Sequence, residues 1–184
     1  DKDQEAIDAE TDPDKRSELL TAAQQKQWRN KALSDTYEPG STFKIITLAM
    51  ALEEGVVSES SSFYCGGAIP VLGRTDPVKC WKTAGHGGQT LTQAMQHSCN
   101  VALVQIGQLV GARTFYKYAE AFGFLNLTNN VDSSLTAKTG IDLSGESGSI
   151  WWSQNTFYDP ENFSQLAAAS FGQTFTITPL QLIT

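Results

Sequence analysis

Two short runs hold side chains of the right kind to form and resolve an acyl-serine. In Ser41-Thr42-Phe43-Lys44 a hydroxyl and an amine stand three residues apart, so on a helix they share a face about one turn from each other. A serine hydroxyl is a weak nucleophile until a neighbour takes its proton. A lysine can do that only where its surroundings disfavour the ammonium. Phe43, Ile45 and Ile46 supply such surroundings. The positive end of a helix disfavours the ammonium further, and it favours the oxyanion formed when a carbonyl is attacked. The spacing alone is common, since a capping serine followed by a lysine lying along an apolar surface has the same pattern. A lysine inside an otherwise apolar helix favours the chemical reading, with Ser41 as nucleophile and Lys44 as its base.

The second run, Ser98-Cys99-Asn100, falls between two helical stretches, and alternate residues of an extended link face the same way. The Ser98 hydroxyl could relay a proton between Lys44 and a leaving amine. The Asn100 carboxamide could hold a substrate amide through its donor and its acceptor. Alone these are ordinary capping residues; behind an S-x-x-K helix they read as a partner motif. Lys138-Thr139-Gly140 has the letters of a K-T-G active-site strand. No strand pattern precedes it and the turn-rich Ile141-Asp142-Leu143-Ser144-Gly145-Glu146 follows, so it reads as a loop. His86, in a glycine-rich turn, and His97 read as structural.

The elements that must position these residues follow from periodicity and punctuation. Tyr37-Glu38-Pro39-Gly40 is a turn. Ser41 to Glu54 predicts a helix apolar on most faces and therefore buried, ended by Gly55. Thr90 with Gln93 forms a capping box opening a helix over 91–97. Helices over 101–110 and 114–122 end at Gly111 and Gly123. Residues 1–18 are polar and acidic, a solvated lead-in, and an amphipathic helical stretch carrying Trp28 runs from Leu19 to about Leu33. Residues 56–88 are short β-like runs and loops, and 124–165 is loop-rich. An apolar run at Leu166–Phe171 and a helix start at Thr178-Pro179 close the chain. Several buried helices with sparse strands, and no repeats, predict an α+β fold.

Of the 184 residues 40% are hydrophobic and 18% charged, a balance that allows a packed core and excludes a disordered chain. A net charge of −7 argues against nucleic acid or an anionic membrane surface as partner. The longest apolar run, Ile45 to Leu52, is too short to span a bilayer, and the opening Asp-Lys-Asp-Gln-Glu is not a signal peptide. Cys65 and Cys80 flank a stretch that reads as a hairpin, leaving two outcomes open: a Cys65–Cys80 bridge, or two partly buried thiols. Cys99 would be the odd one out. With no C-x-x-C pair and only two histidines, the usual zinc patterns are missing, and no metal is expected.

Taken together these residues resemble a family. Trp28-Arg29-Asn30-Lys31 and Asp35 through Lys44 look like the segment leading into the active-site serine of class B (monofunctional) penicillin-binding proteins. Ser98-Cys99-Asn100-Val101-Ala102 resembles their second motif, and Thr139 through Glu146 their structural T-G-I-D-L-P-G-E loop. Phe171-Gly172-Gln173 with Thr178-Pro179-Leu180-Gln181-Leu182 is similar to the stretch before their K-[ST]-G strand. The cysteines and the run from His86 to Thr90 look most like elongation or sporulation-specific members of Gram-positive, clostridia-like bacteria. Two letters depart: Ser144 replaces the usual proline, and Thr174 the usual glycine after Phe-Gly-Gln.

The resemblance implies a penicillin-binding transpeptidase (serine β-lactamase-like) α+β fold, of which residues 1–184 form a part, mainly helical. It implies a D,D-transpeptidase acting on peptidoglycan stem peptides and acylated by β-lactams, outside the cytoplasmic membrane, alongside other wall-synthesis proteins. Ser41, Lys44 and Ser98 would be catalytic and Asn100 substrate-binding, with no cofactor. The K-[ST]-G strand, membrane anchor and pedestal domain of the family are not in this sequence, so the chain by itself is expected to be inactive unless the rest of the domain is supplied. A class D β-lactamase shares S-T-F-K, but its second motif ends in valine where this chain has Asn100. A β-lactam sensor or silent scaffold is the rival outside catalysis; intact Ser41 and Lys44 argue against the scaffold.

Overall fold

The helix bearing Lys44 is the centre around which the rest of the chain is built. The computed structural model describes residues 2–125 and 137–184; the part of the loop-rich stretch from 126 to 136 lies outside the described residues. A 3-10 turn over Gly40–Phe43 holds Ser41 and leads into α4 (Lys44–Glu53), preceded by α1 (Lys2–Ala9), α2 (Pro13–Trp28) and α3 (Lys31–Ser34). Four short strands follow, β1 (Ser62–Cys65), β2 (Ala68–Ile69), β3 (Val78–Lys79) and β4 (Gly87–Thr90). Then come α5 (Leu91–Gln96), α6 (Asn100–Val110), α7 (Ala112–Ala121), α8 (Gln154–Phe157), α9 (Ser164–Ala169) and α10 (Pro179–Ile183). This is the α+β composition the periodicities predicted.

The strands form two antiparallel pairs, β1 with β4 and β2 with β3. In the first, Cys65 faces Gly87 and Ser62 faces Thr90, so the sheet feeds directly into α5. There the predicted capping box is present: Thr90 Oγ1 accepts from the Gln93 amide at 3.2 Å and Gln93 Oε1 accepts from the Thr90 amide at 2.9 Å. An identical device at Thr178 and Gln181 starts α10, with Pro179 at the first helical position.

Helices α4, α6 and α9 stack to make the core. Phe43 is fully buried and meets Phe115, Phe124, Trp151 and Phe175 at ring-centroid distances of 4.8 to 6.3 Å. Gly107 on α6 lies so close to α9 that a Cβ there would run into Ser170 Oγ. Helix α4 is not apolar-buried all round, as its sequence predicted: Ile45 is 65% exposed and Leu52 44%, while Lys44 is only 2% exposed. Hydrophobicity set the helix, and packing on one side chose which residues it hides.

The polar lead-in expected before Leu19 takes a defined form from Lys2 onward. It is solvated, and two helices, Lys2–Ala9 and Pro13–Trp28, cover most of it, the Asp-Pro step starting the second. Asp12 accepts from the Asp14 and Lys15 amides, and Pro13 occupies the first turn, where it lacks no needed donor. Helix α2 buries no residue of its own, and Ile7 of α1 is the one buried contact between the pair.

Candidate active site

Two backbone features present Ser41. Gly40 adopts φ +57°, and its amide donates to the Gly172 carbonyl at 2.8 Å. Gly172, at φ +79°, approaches so closely that any Cβ would collide with the Gly40 backbone. Tyr37 pairs with Ile177 through bonds of 3.0 and 3.1 Å, and Glu38 Oε1 accepts from the Thr174 amide at 3.1 Å. The Phe171-Gly172-Gln173 run is thus the brace of the nucleophile's turn. Ser41 itself is exposed, as an attacking group must be.

Lys44 Nζ is buried and donates three hydrogen bonds: to the Ser98 carbonyl at 2.7 Å, to Ser98 Oγ at 2.9 Å and to Asn100 Oδ1 at 2.7 Å. Those use every N–H an ammonium has. Ser98 Oγ in turn donates to Ser41 Oγ at 3.1 Å. Among the described residues no direct bond joins Lys44 to Ser41, so the one-turn contact that the spacing suggested is replaced by a relay through Ser98. Burial lowers the Lys44 pKa from 10.5 to about 8, against the opposing pull of the Cys80 and Cys99 side chains. Roughly a tenth of the amine is therefore neutral at pH 7.

Ser98 holds a backbone conformation rare for its type, φ +47°. The left-handed region costs an L-residue about 1–2 kcal/mol, and the surroundings must overdetermine it. Its neighbours do: Ser98 N bonds Met95 O at 2.9 Å, Cys99 N bonds Ala94 O at 3.0 Å, and Cys99 caps α6 by accepting from the Ala102 amide at 3.5 Å. Asn100 sits in the first turn of α6. Its oxygen faces Lys44 and its Nδ2 donates to the Lys79 carbonyl at 3.3 Å, which leaves one N–H for an incoming ligand. A groove of about 450 Å³ opens beside it, lined by Arg74, Lys79, Trp81, Phe171 and Thr174.

The other sequence-level expectations fall elsewhere. Lys138-Thr139-Gly140 is a loop: the Thr139 amide and hydroxyl both donate to the buried Glu146 carboxylate, at 2.6 and 2.7 Å. The same loop is tied to the segment before α4 by Ser147 N to Leu33 O at 2.8 Å. Cys65 and Cys80 are not bridged; both are free thiols, and Cys99 is not an outlier but joins them. A third sulfur and an imidazole converge on the same small volume as Cys65 and Cys80. Sequence spacing missed this set because its four members come from separate strands and a helix cap. His86 and His97 stack at 4.7 Å, with Trp81 edge-on to His86.

The fold is that of a known family. Residues 2–184 match the family model for the penicillin binding protein transpeptidase domain, and the chain belongs to that family. It is 40% identical over 156 residues to stage V sporulation protein D of Bacillus subtilis, covering 84% of this chain and 22% of that protein. It is 40% identical over 97 residues to the peptidoglycan D,D-transpeptidase PbpA of Mycobacterium tuberculosis, covering 51% of this chain and 20% of that protein. Among solved structures, the penicillin G acyl-enzyme complex of penicillin-binding protein A from M. tuberculosis superposes with a TM-score of 0.64 at 27% identity. That match covers 95% of this chain and 38% of the other. The chain therefore spans about a fifth of the length of these curated relatives.

Proposed function

We propose that the protein containing this chain is a serine D,D-transpeptidase that cross-links peptidoglycan on the outer side of the cytoplasmic membrane. The observation that carries the reading is the continuous relay in which Ser98 Oγ lies 2.9 Å from Lys44 Nζ and 3.1 Å from Ser41 Oγ. Ser41 Oγ attacks the penultimate D-Ala carbonyl of a stem peptide while its proton passes to Ser98, which gives its own to neutral Lys44. The tetrahedral adduct collapses with cleavage of the C–N bond, and the relay runs backwards to protonate the departing D-Ala amine. An amine of a neighbouring stem then attacks the acyl-serine, losing a proton along the same path, and Ser41 is regenerated. Asn100 supplies a free N–H to the substrate amide, at the edge of the groove. A β-lactam would acylate Ser41 in the same first step.

The direction of the resting bonds fits this cycle. With Lys44 charged, the donors point from Lys44 through Ser98 to Ser41, the polarity needed to protonate a leaving group. Attack requires the reverse polarity, hence the neutral amine. No metal or organic cofactor enters these steps. The test is labelling of the complete transpeptidase domain with a fluorescent penicillin, wild type against Ser41→Ala. Covalent label is expected on the wild type and none on the variant; label surviving in the variant would remove Ser41 as nucleophile.

A further inference from the structure

Cys65 ends β1, Cys80 follows β3, His86 immediately precedes β4 and Cys99 caps α6. Four pieces of chain thus deliver three sulfurs and one imidazole whose ligand atoms all lie within 4.8 Å of one another. Cys80 Sγ is 3.9 Å from Cys99 Sγ and 3.6 Å from His86 Nδ1. Tetrahedral zinc, with bonds of about 2.3 Å to sulfur and 2.05 Å to nitrogen, sets its ligands about 3.8 Å (sulfur to sulfur) and about 3.6 Å (sulfur to nitrogen) apart. These two spacings match the required ones, and the other pairs lie within 4.8 Å, close enough for small side-chain rotations to close them around an ion.

The scaffold is built for close approach. Gly67 and Gly85 both have positive φ, and a Cβ on either would run into backbone, the Thr83 carbonyl and the Cys65 carbonyl respectively. The Cys80 amide donates to the Gly67 carbonyl at 2.8 Å, fastening one ligand loop to the other. All three sulfurs are shielded, their residues being 1%, 2% and 0% exposed. Buried cysteines are ordinarily small apolar packing groups. Packing alone does not call for an imidazole nitrogen among three sulfurs at ligand separations.

We infer that Cys65, Cys80, His86 and Cys99 bind one zinc-class divalent cation, which clamps the Ser98-Cys99-Asn100 segment in position. Three thiolates and an imidazole around a tetrahedral centre select zinc over hard, oxygen-seeking magnesium or calcium. Binding displaces the thiol protons to solvent and leaves every thiol ligated. With four protein ligands the site is closed, so its role is positioning. Cys99 is the middle residue of the relay motif, and a metal bond on it constrains Ser98, at φ +47°, on one side and Asn100 on the other. Local spacing predicted no metal; the inference rests instead on the convergence of β1, the β2–β3 hairpin, β4 and α6.

The experiment uses the complete domain, purified under reducing conditions without added chelator. One zinc per chain by elemental analysis is expected, and cobalt exchange should give thiolate-to-cobalt charge-transfer bands with the intense visible absorption of a tetrahedral site. Cys65→Ser, which removes a ligand without altering Ser41, Lys44 or the Ser98-Cys99-Asn100 motif, should weaken metal affinity by about 100-fold or more, while His86→Cys should retain binding. Substoichiometric metal together with a cobalt spectrum lacking charge transfer overturns the site, as does a Cys80–Cys99 disulfide in freshly prepared protein. The clamp, which rests on the transpeptidase reading, predicts that stripping the metal slows penicillin acylation about tenfold and that zinc restores it. An acylation rate indifferent to the metal overturns the clamp. Metal-loaded wild type that never acylates sinks the transpeptidase reading instead and leaves the metal site standing.

Discussion

At Lys44, burial and hydrogen bonding pull in opposite directions. Three acceptors hold the amine and the Cys80 and Cys99 side chains favour the ammonium, yet removal from water wins and brings the pKa from 10.5 to about 8. Since the proposed base is the neutral amine, acylation should quicken as pH rises and level off above about 8. Second-order rate constants for a penicillin, taken from about pH 6 to about pH 10, would show this limb; a flat profile would dismiss Lys44 as the base. The linkage to stability has the same sign. An unfolded lysine holds its proton more tightly than folded Lys44, so this group disfavours the fold most below about pH 8 and less as pH climbs towards 10.5.

At the scale of elements, the turn that carries Ser41 has little stability of its own and borrows its shape from the segment at 172–177. Within that brace Thr174 takes φ +67°, a conformation for which β-branched residues are poorly suited. Among the described residues it gains an amide bond to Glu38 at 3.1 Å, which a glycine would make as well, and a hydroxyl bond to the Gln173 carbonyl at 2.7 Å. Thr174→Gly should therefore stabilise the domain by about 0.5–1 kcal/mol, relief of left-handed strain being partly offset by the entropy of glycine. A melting temperature that falls would show that the hydroxyl matters more than the strain.

Across the whole molecule, catalytic geometry depends on a core built around one aromatic ring. Phe43 lies between Ser41 and Lys44 in sequence, is fully buried, and packs on Phe115, Phe124, Trp151 and Phe175. It therefore anchors the nucleophile's turn to α7 and to the C-terminal third of the chain. Phe43→Ala in the complete domain should cost about 3–5 kcal/mol in denaturant unfolding. That is a large share of a typical domain's stability of about 5–15 kcal/mol. A loss below about 1 kcal/mol would mean that the turn is held by its backbone brace alone.

Local rules were enough wherever a short window contains all the causes. The capping box at Thr90, the helix start at Thr178-Pro179, the helix stops at Gly55, Gly111 and Gly123, and the S-x-x-K and S-x-N runs were legible because each is decided by residues within a few positions. The loop character of Lys138-Thr139-Gly140 was legible for the same reason. What windows could not show is which distant pieces meet. Lys44 reaches Ser41 only through Ser98, 54 residues on from the lysine. Gly172 braces Gly40, and Cys65, Cys80, His86 and Cys99 share one small volume. Those juxtapositions arise from burying α4, α6 and α9 against one another and from pairing β1 with β4. Close packing is a property of the whole chain, whereas helix propensity and capping act over a few residues.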